Sequence, residues 1–157
     1  MILPSINLFP AKVLGWSGLI PFVALALAST QIVGSYSAPA TFAFTVYAGV
    51  ILSFLGGIQW GLAIGARNAR RLSDKAFGTL LTMSVVPSLI AWVGVFLWKD
   101  MWGTMLLATG YFLALATDHW SYGKGLIPRW FHAMRFVLTC VVILCLTVVA
   151  IGKPYFS

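Results

Sequence analysis

The sequence predicts an all-α integral membrane protein: a five-transmembrane-helix bundle with its N-terminus cytoplasmic and its C-terminus external. Three observations carry that expectation. No charged side chain occurs between Lys12 and Arg67, five apolar stretches follow one another with short connections, and the ten basic residues divide unevenly between the two ends of those stretches. Only 8% of the residues are charged and 61% are hydrophobic, whereas soluble folds carry about 25% charged residues. Lipid is the solvent that such a chain suits. The whole of residues 1–157 reads as a single transmembrane helical domain, without linkers or soluble lobes.

A crossing helix needs about 20 mostly apolar residues to span a hydrocarbon core of about 30 Å. The first span is expected over Val13–Val33. Lys12, the apolar run and Ala26-Leu27-Ala28 also resemble a signal peptide, but Pro4 and Pro10 ahead of the run favour a retained span. The second is expected over Thr41–Ile64, the third over Ala76–Trp98, the fourth and shortest over Met101–Thr117, and the fifth over Phe131–Ile151. Helices are the only open form, because lipid satisfies no backbone donor and the stretches lack the alternation of barrel strands.

With five crossings, Lys12, Arg67, Arg70, Arg71, Lys75, Lys124, Arg129 and Arg135 fall on one side, and Lys99 and Lys153 on the other. The excess of positive charge in short loops marks the cytoplasmic side, so the N-terminus is placed there. The net charge of +7 then serves topology and attraction to anionic lipid headgroups. Nucleic acid is not an expected partner, since the charges are few and spread over short segments beside membrane. Trp98 and Trp102 flank the outer hairpin while Trp16, Trp120, Tyr122 and Trp130 lie near inner ends, as interfacial belts do. Cys140 and Cys145 lie about 140° apart around one helix and cannot bridge each other.

Small residues recur every fourth position in the second span, at Gly49, Ser53, Gly57, Gly61 and Gly65. They drift only about 40° per step, which predicts a groove for a closely packed neighbouring helix. Pro21 and Pro87 each remove a backbone hydrogen bond inside a span and predict static kinks, with a gating hinge as the alternative. Ser17, Ser84 and Ser88 are nearby hydroxyls that could replace the lost bonds.

The run from Tyr47 to Leu62 with Gly56-Gly57 and Gln59-Trp60-Gly61, then Pro87 to Trp92, Asp118, Gly125 to Trp130 and Arg135 to Thr139, resembles the transmembrane protein 69-like family (domain of unknown function 3429). The resemblance implies a small multi-helix protein of bacterial inner membranes, with mitochondrial relatives in eukaryotes, and implies no activity. The family pattern often carries His where this chain has Gln59. Glutamine is a poor transition-metal ligand, so an imidazole-dependent haem or metal role is not expected, while a hydrogen-bonding role survives the change.

Ionisable groups at membrane depth are costly and usually face the bundle interior. Asp118 is the sole acid on the last two spans and Arg135 lies about two turns into the fifth, so the two are expected to pair, with Arg129 as the competing cation. Such a pair would fix the hairpin; proton or anion relay is the sharper alternative. His119 and His132 can face each other across the same hairpin, yet two imidazoles alone make an incomplete zinc set. Interhelical hydrogen bonding is the expected role of Gln59 and Trp60.

Glu is absent, and no Gly-x-Ser-x-Gly, His-Glu-x-x-His or acidic pair offers a catalytic group, so neither an enzyme nor a bound metal or cofactor is expected. The leading expectation is an accessory, structural or assembly component of a larger membrane complex, respiratory or photosynthetic, with other membrane subunits and the bilayer as partners. A transporter or channel subunit for a small or lipophilic solute, and a binder of pigment, haem, quinone or lipid, are the alternatives.

Overall fold

A computed structural model describes residues 8–30 and 37–153. The described residues form six helices in five columns: α1 (Phe9–Ser17) and α2 (Leu19–Ser29) in one column, then α3 (Ala38–Asn68), α4 (Asp74–Phe96), α5 (Met101–Gly123) and α6 (Arg129–Gly152). No strand occurs among them. The expected end of the first span at Val33, and Pro4, lie outside the described residues.

The first column breaks where the sequence predicts a kink. Pro21 has no N–H, and its ring crowds the carbonyl four residues earlier, that of Ser17, where α1 ends. The carbonyl that Gly18 exposes at the break accepts a hydrogen bond from the Tyr47 hydroxyl at 2.9 Å. A tyrosine from the next column therefore takes the role expected of Ser17, whose hydroxyl bonds its own helix at Leu14. Around Pro87, by contrast, α4 runs on without interruption.

Ser37 and Ser73 set the starts of α3 and α4 by accepting from the amides of Ala40 and Ala76. At 1.5 Å per residue the 31 residues of α3 extend about 46 Å, more than the thickness of a hydrocarbon core. The fourth span is longer than expected: α5 continues past Thr117 to Gly123, placing Asp118 inside a helix. Four of the columns are long and apolar enough to cross a bilayer. The column α5 falls short of that composition and packs against α3, α4 and α6.

Phe22, Phe44, Leu52, Tyr111, Leu107 and Leu146 centre the core, where the Phe22 ring meets Phe44, Tyr47 and Tyr111 edge-on. The outside is apolar as well, since Ile151, Phe96 and Trp92 are 81%, 80% and 73% exposed. A surface of that kind is stable only against lipid or another apolar partner.

The small-residue ridge of α3 does not pack as the sequence suggests. Gly49 lies against Ala91 and Val95 of α4, but Gly57, Gly61 and Gly65 are exposed, with open space where a Cβ would stand. The reason is the drift itself, which over four steps of about 40° turns the ridge some 160° around the helix. Gly56 makes the close approach instead: a Cβ there would collide with the Ser84 carbonyl oxygen.

Candidate functional site

Alternation of the columns gathers the ends of α3 and α5 and the starts of α1, α4 and α6 at one end of the bundle. Arg135 lies two turns inside α6, and Asp118 one turn and a half before the end of α5; both are buried. The Arg135 Nε donates to Asp118 Oδ2 at 2.8 Å, and the two side chains are only 8% and 5% exposed. Arg129 is exposed and makes no ion pair among the described residues.

The second carboxylate oxygen accepts from Gln59 Nε2, so α3 joins α5 and α6 in one network. Ser121, one turn beyond Asp118, donates its hydroxyl to Gln59 Oε1 at 3.3 Å. The glutamine amide is thereby held with its nitrogen towards the acid and its oxygen towards the serine. A carboxylate accepting from a guanidinium and an amide has its charge matched and its lone pairs engaged, the condition under which a buried ion is tolerated. Sequence reading placed Gln59 between helices but did not identify its acid, which lies 59 residues away. Trp60 departs from expectation, since it is half-exposed on the bundle exterior without a hydrogen bond among the described residues. It follows Gln59 by one position and is turned about 100° from it, too far to share the buried face.

His119 and His132 do meet across the hairpin, with Nδ1 and Nε2 3.3 Å apart, and the Tyr122 ring stacks on His132 at 4.7 Å. No group of three or more metal-ligating side chains occurs among the described residues.

Arg135 also borders a second feature that the sequence did not disclose. A cavity of about 340 Å³ lies between the α1–α2 column, α3, α5 and α6. Its walls are almost wholly apolar, and the exposed side chains of Leu14 and Phe54 stand at its mouth. Arg135 and Thr139 stand on its α6 wall, and each carries a fully buried polar atom, Nη2 and the hydroxyl, that has no partner among the described residues. They are four residues apart and share one face of the helix. Buried donors without partners are rare, because each costs about 1–3 kcal/mol. Tyr111, which also lines the cavity, is by contrast satisfied, donating to the Ala48 carbonyl at 2.8 Å.

At the opposite end Lys153 is buried, and its ammonium donates to the Trp98 carbonyl at 2.7 Å and to Thr104 Oγ1 at 2.9 Å. It ties the end of α6 to the α4–α5 turn, a role that the sequence analysis missed by counting it only as a loop charge.

A family model described as "Protein of unknown function (DUF3429)" matches residues 8–151. Transmembrane protein 69 of Xenopus tropicalis is 37% identical over 142 residues, covering 87% of this chain and 52% of that protein. Transmembrane protein 69 of Mus musculus is 29% identical over 142 residues, covering 90% of this chain and 56% of the relative. The chain thus spans about half the length of the curated relatives it matches. No solved structure matches it.

Proposed function

The chain belongs to the DUF3429 family, and from that premise we propose that it is a membrane-embedded binding protein that holds a lipophilic molecule inside its bundle. One observation carries the reading: an apolar cavity of about 340 Å³ whose α6 wall includes the polar residues Arg135 and Thr139. Small-molecule sites commonly have this make-up, apolar walls of about 300–1,000 Å³ with a few polar groups that fix orientation. The Asp118–Gln59–Ser121 network holds Arg135 from behind, so the guanidinium is a preorganised part of the wall. In this reading the protein retains its ligand and catalyses nothing.

The bundle is further proposed to sit in a bacterial inner membrane with its basic end cytoplasmic, where anionic headgroups would meet Arg67, Arg70, Arg71 and Lys75. Gentle purification from native membranes, followed by solvent extraction and mass spectrometry, tests the binding proposal. A lipophilic molecule recovered in near-equimolar amount supports it, and bulk lipid alone counts against it.

A second reading, an accessory subunit of a larger membrane complex, has one observation in its favour. The exposed Gly57, Gly61 and Gly65 leave open space on α3 into which another transmembrane helix could pack. Stoichiometric protein subunits in the same preparation would favour it.

A further inference from the structure

Resting on the binding reading, we propose that the cavity holds one acyl tail of an anionic phospholipid from the leaflet at the basic end, with the head left outside at that end. Register sets the position of the space. On the first column its lining runs from Ala11 to Phe22 and on α6 from Phe131 to Val142, a rise of eleven residues in each case. At 1.5 Å per residue that is about 16 Å, close to one leaflet's half of a hydrocarbon core of about 30 Å. The near end lies at the starts of α1 and α6, which is the basic end of the bundle, and the far end lies at the middle of α6. Access differs between the two. Ala11 is exposed and Phe131 half-buried, whereas Phe22 and Val142 are buried. An apolar space that is open at the interface and closed at mid-depth fits an alkyl chain inserted methyl end first.

Charge selects the head. Lys12 follows Ala11 directly and Arg129 precedes Phe131 by two residues, so both stand at the level of the near end. Both are exposed, and neither forms an ion pair among the described residues. The two acids at that end of the bundle are committed elsewhere, Asp74 to Arg67 and Asp118 to Arg135. A phosphodiester at this level would therefore meet two uncompensated cations, on long stems of the kind that reach into the headgroup layer. The second tail of the lipid stays in the bilayer beside Leu14 and Phe54, whose exposed side chains stand at the mouth.

The test reconstitutes the full-length protein into vesicles containing traces of palmitoyl phosphatidylglycerol with a diazirine either near the ester or at the methyl end of one chain. Phosphatidylcholine analogues, which carry no net charge, are run in parallel, and cross-links are mapped by peptide mass spectrometry. The expected result is that the ester-proximal probe labels Ala11 and Phe131 while the methyl-end probe labels the buried Phe22 and Val142, which bulk lipid does not touch. Phosphatidylglycerol should label these sites about two- to fivefold more than phosphatidylcholine, the worth of an exposed ion pair, and the variant Lys12→Gln/Arg129→Gln should bring the two to parity. The reverse labelling pattern overturns the orientation and leaves the lipophilic site standing. Equal labelling by the two heads, or a preference that survives in the variant, overturns the selection by charge. Labelling confined to outward-facing residues such as Phe96 and Ile151 overturns the tail site altogether. In that case an equimolar lipophilic molecule in the solvent extract keeps the binding reading with a different ligand, and bulk lipid alone overturns both.

Discussion

Removing the Asp118 carboxylate would strand Arg135 in an apolar interior, because the guanidinium is buried and makes its one ion pair there. Breaking a buried pair from one side costs about 3–5 kcal/mol, whereas an exposed pair is worth about 0–1. Asp118→Asn and Arg135→Gln should each lower stability by an amount near the first range, and the double variant should lose much less than their sum. Thermal unfolding of the purified variants in one detergent reads the cycle, and additive losses would show that the two charges are not coupled. Gln59→Leu should cost about 1–3 kcal/mol by leaving one carboxylate oxygen and the Ser121 hydroxyl without their partner, a loss that the same measurement detects. The pair was legible in the sequence because Asp118 had no rival acid on its hairpin. Its link to Gln59 was not, since hydropathy places helices at a depth but says nothing of which faces meet across 59 residues.

Helix faces are where sequence reading and structure part. A strict spacing of four keeps small residues near one stripe for two turns and then carries them around the axis, whereas the buried face of α3 mixes steps of three and four, through Thr41, Thr45, Ala48, Leu52, Leu55, Gln59, Ala63 and Ala66. Gly56→Leu should therefore destabilise the isolated protein by about 1–3 kcal/mol or more, as overpacking against the α4 backbone does, while Gly57→Leu should leave its melting temperature unchanged or slightly raised. Equal effects would contradict the packing of α3 described here. The end of α6 makes a comparable commitment through Lys153, which fills acceptors at the end of α4 that helix geometry leaves open. Lys153→Met should cost about 1–3 kcal/mol at neutral pH. Burial holds the pKa of Lys153 below the usual lysine value, with the charge of Asp100 opposing that shift. A lowered folded-state pKa means that the folded protein binds this proton less well than the unfolded chain. The cost of burying the ammonium is then fully present at neutral pH and is relieved as pH rises through the folded value towards about 10.4. Wild type should gain stability relative to Lys153→Met as pH rises from neutral towards about 10.4, the reverse of what an exposed lysine in an ion pair would give.

For the whole molecule, composition settled the architecture because a membrane leaves the chain few choices: apolar runs must be helices, and short connections make consecutive helices antiparallel neighbours. The cavity escaped that reasoning. Its walls come from the first column, α3, α5 and α6, with Gly15 so close over Met134 that a Cβ would come within 3.0 Å of its sulfur. Hydropathy sets the depth of four columns but not the space left where their faces meet. Charge distribution does make a claim about the molecule as a whole. Arg67, Arg70, Arg71 and Lys75 stand at the α3–α4 connection and Lys124 and Arg129 at the α5–α6 connection, all at one end, while Lys99 and Lys153 stand at the other. Retaining positive loops on the cytoplasmic side is then the expected outcome of insertion. A reporter inserted between Arg71 and Lys75 should be active only in its cytoplasmic form, and one fused after Ser157 only in its external form. Should both report the same side, one column does not cross the membrane; α5, the column whose composition falls short of a spanning helix, is then the first to be probed by labelling of single cysteines along it. Should both be inverted, the basic end faces outwards, and the anionic headgroups that this end would attract belong to the opposite leaflet.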